Sequence, residues 1–308
     1  MRVFVTGASG HIASAVIPEL LSAGHAVTGL ARSDRAAATV RSLGADVRRG
    51  DLDDLDGLGA AAREADGIVH LAFKHEEQHS GDFAGAIDAD LRAVEAMGAA
   101  LEGSDKAFVG TNATGALILV GSQGRLTEHD VRPGGPRIDA ENAAIALAER
   151  GVRSSVVRLP PTVHSSGVYG FVSGLIEIAR AAGFAGYPGD GNNRWPSADA
   201  RDVGRLYRLA LESAPAGSRL HAVAEEGIAL RDIAAAIGRR LGVPVASIAE
   251  EDAGRHFGHL SMFVGLDNPT SSEITRDTLG WAPTRPGLIS ALDEDPNFAT
   301  EANAASAG

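Results

Sequence analysis

Residues 2–14 read RVFVTGASGHIAS: an apolar β-branched run, a turn carrying two glycines, and the head of a segment with helical periodicity. Valine and threonine in the run fit a pleated strand. Gly7 and Gly10 let the backbone turn tightly and approach a pyrophosphate, and Ala13 is small enough for helix and strand to pack closely. The unpaired N–H groups at the start of such a helix, together with the positive end of its dipole, hold phosphate. A glycine spacing alone is a weak signal. Placed between a strand and a helix, and followed by further strand–helix units, it points to dinucleotide binding.

Those further units run outward from the turn. Strands are expected at AVTGL (26–30), DVRRG (46–50), GIVHLAF (67–73), KAFVGT (106–111) and VRSSVVRLP (152–160), with helical segments between them near 34–43, 54–65, 82–101 and 137–150. Short apolar strands alternating with amphipathic helices predict an α/β fold, a doubly wound parallel sheet of the Rossmann type covered on both faces. The predicted division is 1–163 for the dinucleotide-binding part and 164–308 for a smaller, irregular substrate-covering part, with about 199–224 returning to the sheet. PPTVHSSGVYG and GYPGDGNNRWPS are rich in Gly, Pro, Ser and Asn and read as loops, with helices between and after them near 171–182, 202–211, 230–241 and 247–256.

Composition narrows the classes. Of 308 residues, 44% are hydrophobic and 22% charged, as in ordinary globular proteins, and a net charge of −12 argues against nucleic acid and anionic membrane as partners. The absence of cysteine removes disulfides and thiolate chemistry, and fits a reducing compartment. A strand begins at residue 2 and the longest apolar run, AAIALA (143–148), cannot span a bilayer, so neither a signal peptide nor a membrane segment is expected, and the predicted location is the cytoplasm. His75, Glu76 and His79 in KHEEQH match no strong metal spacing, and no metal is expected.

The end of the second strand bears on which dinucleotide is bound. LARSDR (30–35) places Arg32 just after the strand, where a basic residue accommodates the 2′-phosphate of NADP; Asp34 reads as the cap of the next helix. NADP(H) is therefore expected over NAD(H).

TGASGHIAS, GDLDD (50–54), HLAF (70–73), RLPPTV (158–163) and GDGNNRW (189–195) together resemble the extended short-chain dehydrogenase/reductase family, in its epimerase/dehydratase branch. The resemblance implies that Gly7, Ser9, Gly10, His11 and Ile12 line the pyrophosphate, and that Asp51 and Leu52 flank adenine. It implies that Leu71, Ala72 and Phe73 meet the adjoining ribose and phosphates, and that Pro160–Val163 faces the nicotinamide carboxamide. It also implies a homodimer as a candidate assembly and a small molecule as substrate.

The family's catalytic set is a Ser or Thr after the fifth strand, then a Tyr and a Lys four residues apart on the next helix, the Lys lowering the Tyr pKa for proton exchange. Here FVGTNATG (108–115) offers Asn112 with Thr111 or Thr114, and counting onward puts Arg137 at the Tyr position and Glu141 at the Lys position. Arginine stays charged and cannot shuttle a proton in the usual way. Glu141 with Asn112 is accordingly a candidate counter-ion for an iminium; an i,i+4 ion pair between Arg137 and Glu141 is the plainer alternative. Replacement proton donors, in order, are Tyr169, His164 and His75, with Lys74, Tyr187, Trp195 and Asp199 nearby, and Arg194 is a candidate anchor for a substrate anion. The leading reading is an NADP(H)-dependent oxidoreductase reducing C=O or C=N. A catalytically silent NADP(H) sensor comes second, and a nucleotide-sugar epimerase or dehydratase third.

Overall fold

The computed structural model describes residues 1–74 and 82–298. Seven parallel strands form its main sheet: β1 (Arg2–Thr6), β2 (Ala26–Ala31), β3 (Asp46–Arg49), β4 (Gly67–His70), β5 (Ala107–Ala113), β6 (Arg153–Leu159) and β10 (Ser218–His221), in the order β10-β6-β5-β4-β1-β2-β3. The chain winds outward from β1 to β3, then crosses back to start again at β4. The order thus reverses between β1 and β4, where open α/β sheets leave a crevice at their carboxyl ends.

Helices α1 (Ala13–Ser22) and α8 (Ala200–Ser213) pack together on one face, whereas α3 (Leu55–Glu64), α4 (Phe83–Leu101) and α6 (Ile138–Ala146) pack on the other. The pleat sorts β1 between the two: Val3 and Val5 join Val16, Ile17, Leu206 and Tyr207, while Phe4 joins Leu58, Ile68, Met97 and Phe108. Each such buried aliphatic or phenyl side chain contributes about 1.5–3 kcal/mol relative to exposure. Segment 199–224 supplies α8 and the edge strand β10. The cap of α2 (Asp34–Ser42) is Ser33, which accepts from the Ala36 N–H at 3.1 Å; Asp34, expected to be the cap, lies in the first turn.

The segments expected as loops carry strands. β7 (Thr162–His164), β9 (Arg194–Asp199) and β11 (Glu225–Ala229) form a three-stranded sheet, and β8 (Ala185–Pro188) pairs in parallel with β12 (Val245–Ile248). Gly and Pro obscure these strands in the sequence, but all of β9 beyond Arg194 is buried. Around them lie α7 (Phe171–Ala182), α9 (Leu230–Leu241), α10 (Glu250–Phe257), α11 (Ser261–Val264) and α13 (Leu288–Glu294), with Val172, Ile176, Trp195, Ile233, Ile237 and Phe257 in a separate core. The short α5 (Thr114–Leu119) follows β5, and α12 (Glu273–Leu279) packs near β10. No helix among the described residues is long and apolar enough to cross a membrane.

Candidate active site

The first turn is pressed against the end of β4. Gly7 has φ +63°, and a Cβ there would lie 2.7 Å from the Ala72 nitrogen and 2.8 Å from the Leu71 carbonyl carbon. Only glycine combines that φ with that approach. The Gly10 N–H closes the turn on the Gly7 carbonyl at 2.9 Å, and Ile12 enters α1 without a side-chain cap. The turn is also joined to the far segment: His11 Nε2 donates to the Val163 carbonyl at 3.0 Å, bringing together two stretches 152 residues apart. Ser9 and Gly10 are exposed, His11 and Ile12 half-buried, and Pro160 and Val163 buried. A tight glycine turn at the head of a helix, with Ser9 and Gly10 left exposed, fits the phosphates of a dinucleotide. Gly7→Ala is expected to weaken dinucleotide binding at least tenfold while far-UV circular dichroism stays the same, on the order of the strain cost of a non-glycine residue at such a position plus the clash. Unchanged affinity in a fluorescence titration would remove the turn from the site.

Arg32 is exposed immediately after β2. Asp51 is exposed too, and its Oδ1 accepts from the Asp53 N–H at 2.7 Å; Leu52 is buried beside it. Leu71, Ala72 and Phe73 are half-buried along the mouth, and the Ala72 N–H donates to Thr6 Oγ1 at 3.2 Å.

The motif positions on α6 part ways, and the expected counter-ion is overturned. Glu141 points into the protein: its side chain is 1% exposed and accepts from Arg158 Nη2 at 2.5 Å and Nε at 3.0 Å, from Arg219 Nε at 2.8 Å and from Asn112 Nδ2 at 2.7 Å. Burial by itself would raise the Glu141 pKa, but the Arg158, Asn112 and Arg219 donors outweigh it and hold the carboxyl below its ordinary range. With both oxygens filled by internal donors, Glu141 has no lone pair left to face an iminium. Asn112, 1% exposed, turns with it, its Oδ1 taken by the Ala113 N–H. Thr111 turns the other way: its hydroxyl donates to the His70 carbonyl at 2.6 Å and shares a 2.8 Å bond with the buried Tyr207 hydroxyl. None of these three presents an idle polar group to a substrate.

Arg137 is not drawn inward with Glu141, and its side chain stays 17% exposed. It precedes α6 at φ +66°, a left-handed conformation rare for a non-glycine residue. Its guanidinium lies 4.0 Å above the Phe73 ring, and Nη2 donates to the Thr111 carbonyl at 3.2 Å. Nη1 sits 3.8 Å from Asp90 Oδ2. No ion pair to Glu141 forms; the partner is Asp90, from α4. The other Asp90 oxygen meets His70 Nε2 at 3.1 Å, and His70 Nδ1 meets Thr6 Oγ1 at 2.7 Å. A buried chain of polar groups thus runs from the end of β1 to the motif arginine.

Two expected proton donors are corrected. The Tyr169 hydroxyl donates to Asp295 Oδ2 in a buried pair, and burial, reinforced by that carboxylate, pushes its pKa well above the tyrosine range. His164, 1% exposed on β7, has no hydrogen-bond partner at either ring nitrogen among the described residues. Burial lowers its pKa against the pull of Asp199 and Glu225, so the ring is held neutral in the interior. His75 lies outside the described residues. Lys74 bonds Asp53 at 2.6 Å, Trp195 is buried, and Asp199 caps α8 through the Arg201 N–H at 2.8 Å. Arg194 is held by Asp267. The residues that sequence reasoning overlooked are Asp90, Arg158 and Tyr207. Asp90 had a visible signal, an acid inside the buried stripe Ala86–Ala89–Ala93–Met97 of α4, and Arg158 another, a charge within the buried run of β6.

A family model described as NAD dependent epimerase/dehydratase family matches residues 3–118. An uncharacterised protein of Schizosaccharomyces pombe is 43% identical over 298 residues, covering 97% of this chain and all of the relative. The chain belongs to the NAD dependent epimerase/dehydratase family. A second uncharacterised relative, from Saccharomyces cerevisiae, is 45% identical over 94% of this chain and 97% of its own length. Among solved structures, DesIV (dTDP-glucose 4,6-dehydratase) from Streptomyces venezuelae, with NAD and TYD bound, superposes with a TM-score of 0.76 over 99% of this chain and 98% of that one, at 18% identity. That likeness shows a shared fold. As a family member the chain has the expected Rossmann architecture.

Proposed function

We propose that this family member is an NADP(H)-dependent oxidoreductase that moves hydride between the dinucleotide and an oxygen-bearing carbon of a small organic molecule, with Arg137 acting at the substrate oxygen. The observation that carries the reading is the strained, half-buried Arg137 guanidinium on Phe73, at the carboxyl ends of β4 and β5. Asp105 is the other described non-glycine residue with positive φ, but at Arg137 the strain coincides with a guanidinium stacked on Phe73, which supports a working position. Gly7, Gly10 and His11 hold the phosphate end, the exposed Arg32 favours a 2′-phosphate, and Pro160–Val163 borders the nicotinamide end. When bound, the dinucleotide supplies or accepts the hydride.

The chain's own part is electrostatic. Negative charge builds on the oxygen of a carbonyl as hydride reaches its carbon, and a fixed guanidinium donor stabilises that charge without surrendering a proton. The Thr111 carbonyl and Asp90 fix the plane of the guanidinium. The proton that completes the alcohol is drawn from water. With Glu141 turned inward, the C=N branch loses its counter-ion, and C=O is favoured.

The test is NADPH consumption with a panel of ketones and aldehydes. Arg32→Ala is expected to cut the NADPH-to-NADH affinity ratio about tenfold, the size of one charge-assisted contact; an unchanged ratio would remove Arg32 from that role. The nucleotide-sugar reading, favoured by the family match and by DesIV, begins with the same hydride step but returns the hydride. It is recognised by conversion of a dTDP- or UDP-sugar without net NADPH loss. Tight NADPH binding with no turnover of either substrate class would instead support a sensor.

A further inference from the structure

We infer that His70 and Asp90 are positioning residues: with Thr6 they form one buried line that aims the Arg137 guanidinium from the phosphate-binding turn. The inference rests on the hydride-transfer reading, since it takes Arg137 as the group that meets the substrate oxygen.

The line begins beside Gly7. The Ala72 nitrogen, 2.7 Å from where a Cβ on Gly7 would lie, donates its proton to Thr6 Oγ1 at 3.2 Å. Thr6 Oγ1 lies 2.7 Å from His70 Nδ1, and His70 Nε2 lies 3.1 Å from Asp90 Oδ1. Asp90 Oδ2 then faces Arg137 Nη1 at 3.8 Å. The protons along this line have one consistent arrangement. A carboxylate only accepts, so His70 Nε2 carries a proton toward Asp90. In the neutral ring Nδ1 is then the acceptor, and it takes the proton of the Thr6 hydroxyl, whose oxygen already accepts from Ala72. Each group fixes the next: the strand end orients the hydroxyl, the hydroxyl the imidazole, and the imidazole the carboxylate. With one oxygen held by His70, Asp90 presents the other to the guanidinium.

Burial separates this role from direct catalysis. Thr6, His70 and Asp90 are 0%, 2% and 3% exposed. The gap that His70 and Asp90 border with Thr111 and Glu141 is about 10 Å³, too small for any substrate group. They act on a substrate only through Arg137. Packing alone does not ask for a carboxylate here. The other buried residues of this stretch of α4 are Ala86, Ala89, Ala93, Val94 and Met97, and a buried charge is costly where apolar residues would fit. What Asp90 adds is a charge opposite the guanidinium. Arg137 is held at φ +66° and stacked on Phe73, while Glu141, one turn on, is taken by Arg158.

Isotope-edited NMR of the Arg137 Nε–Hε resonance, recognised by its absence from Arg137→Lys, tests this beside kinetics on an accepted ketone. Asp90→Asn should move that resonance in the dinucleotide-free protein. It should also lower kcat about tenfold, with the ketone KM and the NADPH dissociation constant changed less than about threefold. Thr6→Val, which removes the hydroxyl and keeps the shape, should move the same resonance and lower kcat, and Thr6→Ser should recover most of both. A resonance that stays in place in Asp90→Asn or in Thr6→Val, or an Asp90→Asn variant with the parent's kcat, would overturn the inference. The resonance requires no turnover and judges the line by itself. Arg137→Gln separates the two levels: if it is slow while Asp90→Asn is not, this inference alone fails, and if it keeps the parent's kcat, the role given to Arg137 in hydride transfer fails beneath it.

Discussion

Arg137→Gln is expected to lower kcat on the order of 100-fold while the NADPH dissociation constant moves less than about threefold, the pattern of a donor that acts on charge formed during reaction. Glutamine keeps a hydrogen-bond donor but loses the fixed positive charge and the stacking on Phe73. Arg137→Lys should recover little, because an ammonium offers no planar fork to reach the Thr111 carbonyl and Asp90 together. Steady-state kinetics with any accepted carbonyl substrate measures this. A kcat retained in Arg137→Gln would separate the arginine from the chemistry.

The second large effect is on stability. Arg158→Ala is expected to destabilise the protein by about 3–5 kcal/mol, because it strips the main partner from a fully buried carboxylate. Arg158 is 0% exposed; besides Glu141 it meets the Asp130 carbonyl at 2.8 Å and His221 Nε2 at 3.2 Å. Replacing the pair together, as Glu141→Leu with Arg158→Met, should cost much less, since no charge is left without a partner. The same cluster makes the fold sensitive to acid. Glu141 is held below its ordinary pKa, so its contribution is present above the unfolded value and lost as pH falls through the folded one. Burial, with Arg158 adding to it, lowers His221 from 6.5 to about 4, against the pull of Glu128 and the Ser271 carbonyl. The unfolded chain therefore takes up a proton near 6.5 that the folded chain refuses until about 4, and on the order of 3 kcal/mol of stability disappears across that window. Urea unfolding at pH 7.5 and pH 5 measures the loss, and His221→Gln should flatten the slope. A parent with equal stability at both values would contradict the assignment.

The dinucleotide-binding part could be read from the chain because its signals are local. Gly7 has to be glycine for reasons within a few residues of it and one neighbouring strand end, and β1, β2, β4, β5 and β6 announce themselves by short runs carrying apolar residues between helices, whereas β3 (DVRR) is mostly charged. The catalytic neighbourhood was harder, because its partners are distant. Counting from the resemblance led to two charged positions at the head of α6, yet Glu141 meets Arg158 and Arg219 from strands 17 and 78 residues later, and Arg137 meets Asp90 from α4. Spacing on one helix suggested the two charges might pair; the sheet pulled them to opposite sides. In the remaining part, β8 and β9 contain Gly and Pro, and their burial comes from neighbours that no sequence window includes.

The single bond from the His11 imidazole to the Val163 carbonyl makes the first turn and the approach to the second lobe one mechanical piece. Lengthening or shortening that turn by a residue would shift the far segment as well, and Phe171, bonded to the Pro161 carbonyl, would follow. Under the proposed reading, a change of coenzyme preference is therefore best attempted at the exposed position 32, with the clasp between the lobes left intact.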